Sequence, residues 1–349
     1  MAVTCRLMDA GSAPAWDRFV DAMPGGTFFH RSAWADVFVR AFRHTPHYVM
    51  AERDGAIVGV LPLVHVKTRL FGNSLMSSPF CVYGGPLAAD AEAAAALEAE
   101  TARLMGGLGA RVAEYRFLHP LPEGWLEEDR WTTRADLYVT FRKPIGAEDD
   151  ANLKAVPRKQ RAMVRKGIDR GLQSTVSQDV DGLHAIYAES VRNLGTPVFA
   201  RRYFRILAEA FRDRMDVVTI ADGGVPVAAV LNFYDRDEVL PYYGGGTAAA
   251  RASYANDFMY WEVMRRAAAR GSRLFDFGRS KAGTGAFAFK KNWGFVPEPL
   301  RYRYLLAPGQ AIPDHNPLNP KYRLFIAAWK RLPLPVANLI GPHIVRGIG

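Results

Sequence analysis

The chain has 349 residues, of which 49% are hydrophobic, and a formal net charge of +10. This length predicts about two domains, and the apolar share is typical of a well-packed soluble protein. The only two cysteines, Cys5 and Cys81, lie far apart and in no Cys-x-x-Cys spacing. The sequence therefore argues against a disulfide framework and against a thiolate metal site, and we expect no bound metal.

The positive charge is concentrated in residues 154–170, "KAVPRKQRAMVRKGIDR". This segment contains seven basic residues and a single acidic residue, Asp169. A helix that begins near Pro157 would place Arg158, Arg161 and Arg165 along one stripe. Such a stripe could bind the phosphates of an anionic partner. The alternative, which the sequence leaves open, is a solvated linker helix.

Two parts of the chain follow the same order of predicted elements. Each begins with two apolar strands joined by an Asp-Gly turn, which predicts a hairpin. Each continues with Tyr-Gly-Gly, an alanine-rich helical stretch and a short strand. The hairpins are 49–64 and 217–233, and the Tyr-Gly-Gly sequences are Tyr83–Gly85 and Tyr243–Gly245. The helical stretches are 90–106 and 255–270, and the short strands are 110–117 and 272–278.

This repeat predicts an α/β protein with mixed sheets and two similar domains. We expect an N-terminal domain over residues 1–145, a basic linker helix over 146–174 and a C-terminal domain over 175–310. A Pro-rich amphipathic tail follows at 311–349. The first part of this tail is a basic amphipathic helix, which could lie on a membrane surface or pack over a domain.

The stretch "LFDFGRSKAGTGAFAFKKNWGF" (274–295) contains the Asp-Phe-Gly letters of protein kinases. The glycine-rich loop, strand lysine and His-Arg-Asp loop of that chemistry are missing from the sequence, which argues against a kinase. The strand pattern instead brings Asp276 out beside Gly278 at the carboxyl end of a strand, where sites in α/β folds tend to lie. A structural ion pair with Arg279 or Lys281 is the alternative for Asp276.

The same stretch, with "LGTPVF" (194–199) and "MYWEVMRRA" (259–267), resembles the FemAB family of tandem GNAT-fold aminoacyltransferases. Within that family it is most similar to the FemAB-related proteins of exosortase and PEP-CTERM exopolysaccharide systems. The resemblance covers roughly residues 10–310. It implies two GNAT-like domains and transfer of an aminoacyl group from an aminoacyl-tRNA to an amine of a peptidoglycan precursor.

The resemblance also implies roles for individual residues. Phe289 would line the pocket, and Lys290 would stabilise the oxyanion that forms when the amine attacks the ester. Asp276 is a candidate proton acceptor. The other candidate substrate-binding residues are Arg279, Lys281, Tyr243, Tyr83, Arg158, Arg161 and Arg165. From the residues alone, the favoured interpretation of Lys290 is a surface lysine before an aromatic plug of Trp293 and Phe295.

This sequence differs from the patterns of related proteins in two ways, and both bear on which donor it uses. The segment "TAAARASYANDFMY" (247–260) lacks the glycines with which GNAT domains bind the pyrophosphate of coenzyme A, which argues against acyl-CoA. The charged heptads of a coiled-coil arm are also missing between residues 235 and 260. The stripe at 154–170 is then the main candidate for contact with tRNA.

We therefore expect no tightly bound cofactor, and a donor co-substrate that is either aminoacyl-tRNA or acyl-CoA. The expected acceptor is a nucleotide-linked or lipid-linked envelope precursor. One alternative is an acyl-CoA-dependent N-acyltransferase of an exopolysaccharide amino sugar, and another is a non-catalytic scaffold that binds RNA or membrane through 154–170 and 321–349. Residues 1–26 carry no secretory signal pattern, so we expect a cytoplasmic protein that could work at the inner face of the membrane.

Overall fold

The computed structural model describes residues 2–68, 72–127, 129–312 and 323–347. The chain divides into two compact units. The first unit contains the residues up to Tyr138 and the segment that begins at Pro299. The second unit contains Val139–Glu298 and the C-terminal helices.

Over its described residues, the first unit is a mixed sheet with three α-helices. Its helices are α1 (Ala13–Ala22), α2 (Ala33–Phe42) and α3 (Ala91–Leu108). Its strands are β1 (Thr4–Leu7), β2 (Thr45–Arg53), β3 (Ala56–Thr68), β4 (Gly72–Ser77), β5 (Leu87–Ala88), β6 (Val112–Phe117), β7 (Trp131–Arg134) and, from late in the chain, β15 (Arg301–Leu306).

The second unit contains a sheet of similar size. Its strands are β8 (Val139–Pro144), β9 (Gln173–Ser177), β10 (Met215–Asp222), β11 (Val225–Asp235), β12 (Glu238–Gly246), β13 (Leu274–Asp276) and β14 (Pro297–Pro299). Its helices are α4 (Asp149–Ala155), α5 (Arg158–Asp169), α6 (Val180–Leu194), α7 (Arg201–Ala210), α8 (Ala248–Ala252), α9 (Ala255–Ala269), α10 (Gly285–Asn292), α11 (Arg323–Trp329) and α12 (Leu334–Val345).

The two sheets have the same strand order. The first runs β1-β2-β3-β4-β6-β15-β7, and the second runs β9-β10-β11-β12-β13-β8-β14. In each sheet the fourth and fifth strands are parallel, namely β4 with β6 and β12 with β13. The predicted hairpins form as β2–β3 and β10–β11. The expectation of mixed α/β sheets built from a repeated unit is confirmed.

The division of the chain differs from the expected domain boundaries because consecutive strands belong to different sheets. β8 follows β7 in sequence but joins the second sheet, where it pairs with β13. β15 follows β14 but joins the first sheet, where it pairs with β6 and β7. Tyr302 and Tyr304 of β15 are buried there. Each sheet thus takes its sixth strand from a segment that we had assigned to the other domain.

The basic segment belongs to the second unit and does not form a linker helix. It folds as α4 and α5, and Pro157 lies between them. Val164 and Gly167 of α5 are buried, and a Cβ atom at Gly167 would come within 2.8 Å of Phe258 Cβ in α9. Glycine at this position therefore allows α5 to lie close against α9. A solvated helix between domains does not describe this segment.

The core of the second unit lies between its sheet and α9. Phe258, Trp261, Met264 and Ala268 form the buried stripe of that helix, at spacings of three and four residues. Most of the proline-rich segment lies outside the described residues. Within the described residues, none of the helices is long and apolar enough to cross a membrane.

Candidate functional site

The second sheet opens between β12 and β13. Among the described residues, the two strands pair at Glu238 with Leu274 and at Val239 with Phe275. β12 then continues to Gly246, whereas β13 ends at Asp276. The parallel strands therefore part toward their carboxyl ends, and the segment that follows β13 carries the candidate residues.

A turn and a capped helix follow β13. Gly278 has a φ of 64°, a left-handed conformation that glycine adopts without strain, and the chain turns there. Thr284 then caps α10, because its hydroxyl oxygen accepts a hydrogen bond from the backbone N–H of Phe287 and donates to the carbonyl of Lys281. The Gly-Thr-Gly sequence thus fixes where α10 begins and which way its side chains point.

Lys290 reaches back from α10 to the end of β13. Its Nζ donates to the carbonyl oxygens of Gly278, at 3.1 Å, and Arg279, at 3.0 Å. The same nitrogen lies 5.7 Å from the ring centre of Phe141 in β8. These contacts use two of the three N–H donors of the ammonium group and leave the third for a ligand.

Burial lowers the pKa of Lys290 to about 7, because the ammonium loses its hydration. The carboxylate of Asp276 opposes this shift, and the guanidinium of Arg279 adds to it. The amine is then only partly protonated near neutral pH. A lysine with such a shift is a candidate functional residue, although structural charge networks also produce shifted values.

Asp276 is 1% exposed and is held by its surroundings. Its Oδ1 accepts a hydrogen bond of 2.6 Å from the backbone N–H of Gly278, and its Oδ2 lies 3.3 Å from Nε of Arg142. We had weighed Arg279 and Lys281 as its ion-pair partners, and the structure pairs it with Arg142 of β8. The carboxylate thus supports the turn that presents the two carbonyl groups to Lys290.

Arg142 also binds Glu238, at the start of β12, and so lies between two carboxylates. Burial raises the pKa of Glu238 to about 7, and the carboxylate of Asp276 adds to this effect, while Arg142 opposes it. Sequence reasoning missed both Arg142 and Glu238. Nothing in the local pattern links residues 142, 238 and 276, which meet only because β8, β12 and β13 are neighbours in the sheet.

Aromatic side chains pack beside Lys290. The ring of Phe289 lies 5.5 Å from that of Tyr260 and 6.3 Å from that of Phe277. The hydroxyl of Tyr260 lies next to Gly244 of β12, where a Cβ atom would come within 3.4 Å of it. Phe289 is half-buried, so it can both support the core and contact a ligand. Tyr260 belongs to the quoted "MYWEVMRRA" segment, but nothing in that pattern singled it out.

The two Tyr-Gly-Gly tyrosines are packing residues in this structure. Tyr243 is 6% exposed, and its hydroxyl lies 2.8 Å from that of Tyr203 among the aromatic rings of α6 and α7. Tyr83 lies in the first unit, is 1% exposed and packs against Phe29. Neither contact is with Lys290 or Asp276. A substrate-binding role for these two tyrosines stays a prediction.

The arginine stripe lies on α5 and partly faces solvent. Arg158 and Arg165 are exposed, and Arg161 is half-buried, with its Nη1 donating to the carbonyl of Lys154 at 3.0 Å. Gln160 points the other way and donates to Asp257 of α9. The exposed side chains are therefore accessible to an anionic ligand.

The connection from β12 to α9 contains the short helix α8, followed by Tyr254 with a φ of 62°. Asp257 occupies the first turn of α9 and accepts hydrogen bonds from Gln160 and from Nε1 of Trp293. A carboxylate in the first turn adds negative charge near the helix end, which disfavours a phosphate there.

Residues 158–291 match the family model described as "Acetyltransferase (GNAT) domain". This part of the chain is similar to acetyltransferase domains of the GNAT superfamily. The matched segment includes α5, the open edge between β12 and β13, and Lys290. In a search of curated proteins, nothing matches the chain.

Solved structures share the fold of this chain over most of its length. FemX is similar with a TM-score of 0.67 and 16% identity, covering 92% of this chain and 99% of that chain. L-PGS from Bacillus licheniformis is similar with a TM-score of 0.58 and 12% identity, and the match covers 99% of this chain and 98% of that chain. A tandem GNAT protein of the clavulanic acid pathway has a TM-score of 0.52 and 13% identity, covering 88% and 100%. The expected likeness to Fem-type tandem GNAT proteins is thus confirmed for the fold.

Proposed function

We propose that this GNAT protein transfers an acyl or aminoacyl group to an amine of a cell-envelope precursor and forms an amide. The observation that carries the proposal is the placement of Lys290. Its ammonium is partly buried, is held by the carbonyl groups of Gly278 and Arg279, and keeps one N–H donor for a ligand. The likeness to the fold of FemX supports the same class of reaction.

The proposed step is direct transfer. The neutral acceptor amine attacks the acyl carbon of the donor, a C–N bond forms, and negative charge develops on the carbonyl oxygen. The C–O or C–S bond to the leaving group then breaks, and the proton of the amine goes to the leaving oxygen or sulfur. Lys290 in its charged form would stabilise the oxyanion, an effect worth a few kcal/mol in a partly dry site.

Asp276 has a positioning role in this scheme. Its carboxylate is buried and bonded to Gly278 and Arg142, so it holds the turn that orients Lys290. It also favours the charged form of Lys290 through its own negative charge. Phe289 would provide an apolar wall for the acyl group. Arg279 and Lys281, on the turn itself, would contact the anionic part of a substrate.

For the donor we propose aminoacyl-tRNA, with Arg158, Arg161 and Arg165 as its phosphate contacts. The carboxylate of Asp257 in the first turn of α9 favours this donor over acyl-CoA, because it opposes a pyrophosphate at that helix end. Acyl-CoA remains the second candidate, since the matched family model is that of an acetyltransferase domain. With acyl-CoA, the acceptor would be an amino sugar of an exopolysaccharide, as in the PEP-CTERM systems.

The donor can be identified by measuring which candidate co-substrate the protein consumes. The protein is incubated with a pool of charged tRNA or with a pool of acyl-CoA esters, together with nucleotide-linked and lipid-linked envelope precursors, and products are analysed by mass spectrometry. We expect loss of one aminoacyl-tRNA and a matching mass gain on an amine-bearing precursor. Loss of an acyl-CoA ester instead would select the second candidate. Consumption of neither pool by the folded protein would contradict the proposed transfer.

A further inference from the structure

The two C-terminal helices pack on α6 through small and apolar side chains. Ala337 and Gly341 of α12 are buried, and a Cβ atom at Gly341 would come within 3.0 Å of the backbone of Val198. Ile326 of α11 lies against Gly195 at the end of α6. The helices are thus anchored to the second unit by one face.

The other side of these helices is also apolar, although it faces solvent. On α12, Val336, Leu339 and Ile340 are 41%, 71% and 37% exposed, at the spacing of one helix face. On α11, Leu324 is 84% exposed and Phe325 is 42% exposed. We call these five residues the C-terminal apolar surface. Single exposed apolar residues are ordinary, whereas a group on adjacent helices marks a binding surface.

The charged residues of the C-terminal segment itself are all of one sign. Residues 323–347 contain no aspartate or glutamate, and their basic residues are Arg323, Lys330, Arg331 and Arg346. Lys330 and Arg331 lie between the two helices and are exposed. A second copy of the same surface would bring these basic side chains together and repel it, whereas an anionic partner would be attracted.

We propose that the C-terminal apolar surface docks on the face of a bilayer that contains anionic lipid. Exposed leucines and a phenylalanine would enter the interface between headgroups and acyl chains, and Lys330 and Arg331 would meet the lipid phosphates. α12 has 12 residues, too few to span the roughly 30 Å of a hydrocarbon core, so the surface lies on the membrane. This inference does not depend on the proposed chemistry.

The test is co-sedimentation of the full chain with vesicles of phosphatidylglycerol and phosphatidylcholine, compared with vesicles of phosphatidylcholine alone. We expect binding to the anionic vesicles that weakens as salt is raised. The double variant Leu324→Gln with Leu339→Gln should lose at least tenfold in partitioning. Its matched control is Val225→Gln with Val296→Gln, two apolar residues elsewhere that are 63% and 70% exposed and should change little.

The basic residues are tested in the same assay. Lys330→Gln with Arg331→Gln should weaken binding to anionic vesicles by about fivefold for each residue. The control, Arg202→Gln with Arg251→Gln, removes two exposed basic residues from other helices. Circular dichroism and thermal unfolding check that each variant is folded. Failure of transfer with intact vesicle binding would count against the proposed function alone.

Equal sedimentation of wild type with anionic and neutral vesicles, or none with either, would overturn the membrane proposal. So would unchanged binding of the Leu324→Gln, Leu339→Gln variant. Sedimentation velocity adds one more outcome. A wild-type dimer that dissociates in that variant, without vesicle binding, would assign the surface to a second copy of the chain and would also overturn the proposal.

Discussion

The carboxylate of Asp276 lies 3.3 Å from Nε of Arg142, so the end of β13 is tied to β8, a strand more than 130 residues earlier in the chain. The side chains of both residues are largely buried, and Arg142 also binds Glu238. This relationship means that the turn beneath Lys290 depends on a charge network within the second sheet.

The first prediction concerns Arg142→Met, which removes the cation between the buried carboxylate of Asp276 and the half-buried side chain of Glu238. We expect the free energy of unfolding to fall by about 3 to 5 kcal/mol, because an uncompensated buried charge is costly. Chemical denaturation monitored by circular dichroism measures this. Arg170→Met is the control, since Arg170 is about half exposed and pairs with Asp222 at the surface, where a salt bridge contributes about 0 to 1 kcal/mol. Equal losses for the two variants would contradict the network.

The sequence predicted the repeated elements because hairpins, helices and short strands are encoded locally. It did not predict which sheet takes β8 and β15, since that depends on pairing between distant segments. The same limit explains why Arg142 and Glu238 were missed. Tyr83 and Tyr243 carry the same Tyr-Gly-Gly letters, yet one lies in a buried loop of the first unit and the other in β12. Identical local sequence there does not give equivalent structure.

The second prediction follows from the shifted pKa of Lys290. Its pKa is about 7 in the folded protein and 10.5 in the reference state, so the unfolded chain binds more protons between these values. Stability due to this group should therefore rise as the pH increases from 7 to 10.5, by at most about 1.4 kcal/mol per pH unit. The difference in unfolding free energy between wild type and Lys290→Met, measured across this range, isolates the effect. A constant difference would show that burial does not shift this lysine.

The third prediction concerns the pH dependence of transfer. If charged Lys290 stabilises the oxyanion, kcat should fall as the pH rises through about 7, because the ammonium is lost. Lys290→Arg keeps its charge at every accessible pH and should remove this falling limb, even if its overall rate is lower. Rates of wild type and variant over pH 5.5 to 9, chosen as about 1.5 to 2 units around that pKa, give the answer. A wild-type rate that rises through pH 7, with the rise lost in Lys290→Arg, would instead identify neutral Lys290 as a base.

The fourth prediction concerns Arg158, Arg161 and Arg165 of α5. Replacing all three with Gln should weaken binding of charged tRNA and flatten its dependence on salt. Each lost phosphate contact should reduce the slope of log affinity against log salt by about 0.9 for duplex-like RNA. Fluorescence anisotropy with labelled tRNA at several salt concentrations measures this. The Arg202→Gln, Arg251→Gln variant, which removes two exposed charges on other helices, is the control for net charge. Loss of affinity in both variants alike would point to net charge and not to this stripe.

The last prediction tests Lys290 against its neighbour. Lys290→Met keeps most of the apolar volume and removes the charge, so the fold should be retained and the cost of burying an ammonium should disappear. Transfer should slow by about 100-fold to 1000-fold, the usual loss when one oxyanion donor is deleted, with donor binding nearly unchanged.

Lys291→Met is the internal control for this experiment. Lys291 is the adjacent lysine on α10 and is exposed, so replacing it removes a neighbouring amine of the same chemistry without touching the turn. Single-turnover rates and donor affinity are measured for both variants, since kcat alone would mix chemistry with product release. If the two variants transfer equally well, or if Lys290→Met acts only by weakening donor binding, then Lys290 does not stabilise the transition state, and its contacts with Gly278 and Arg279 serve only to hold α10 against β13.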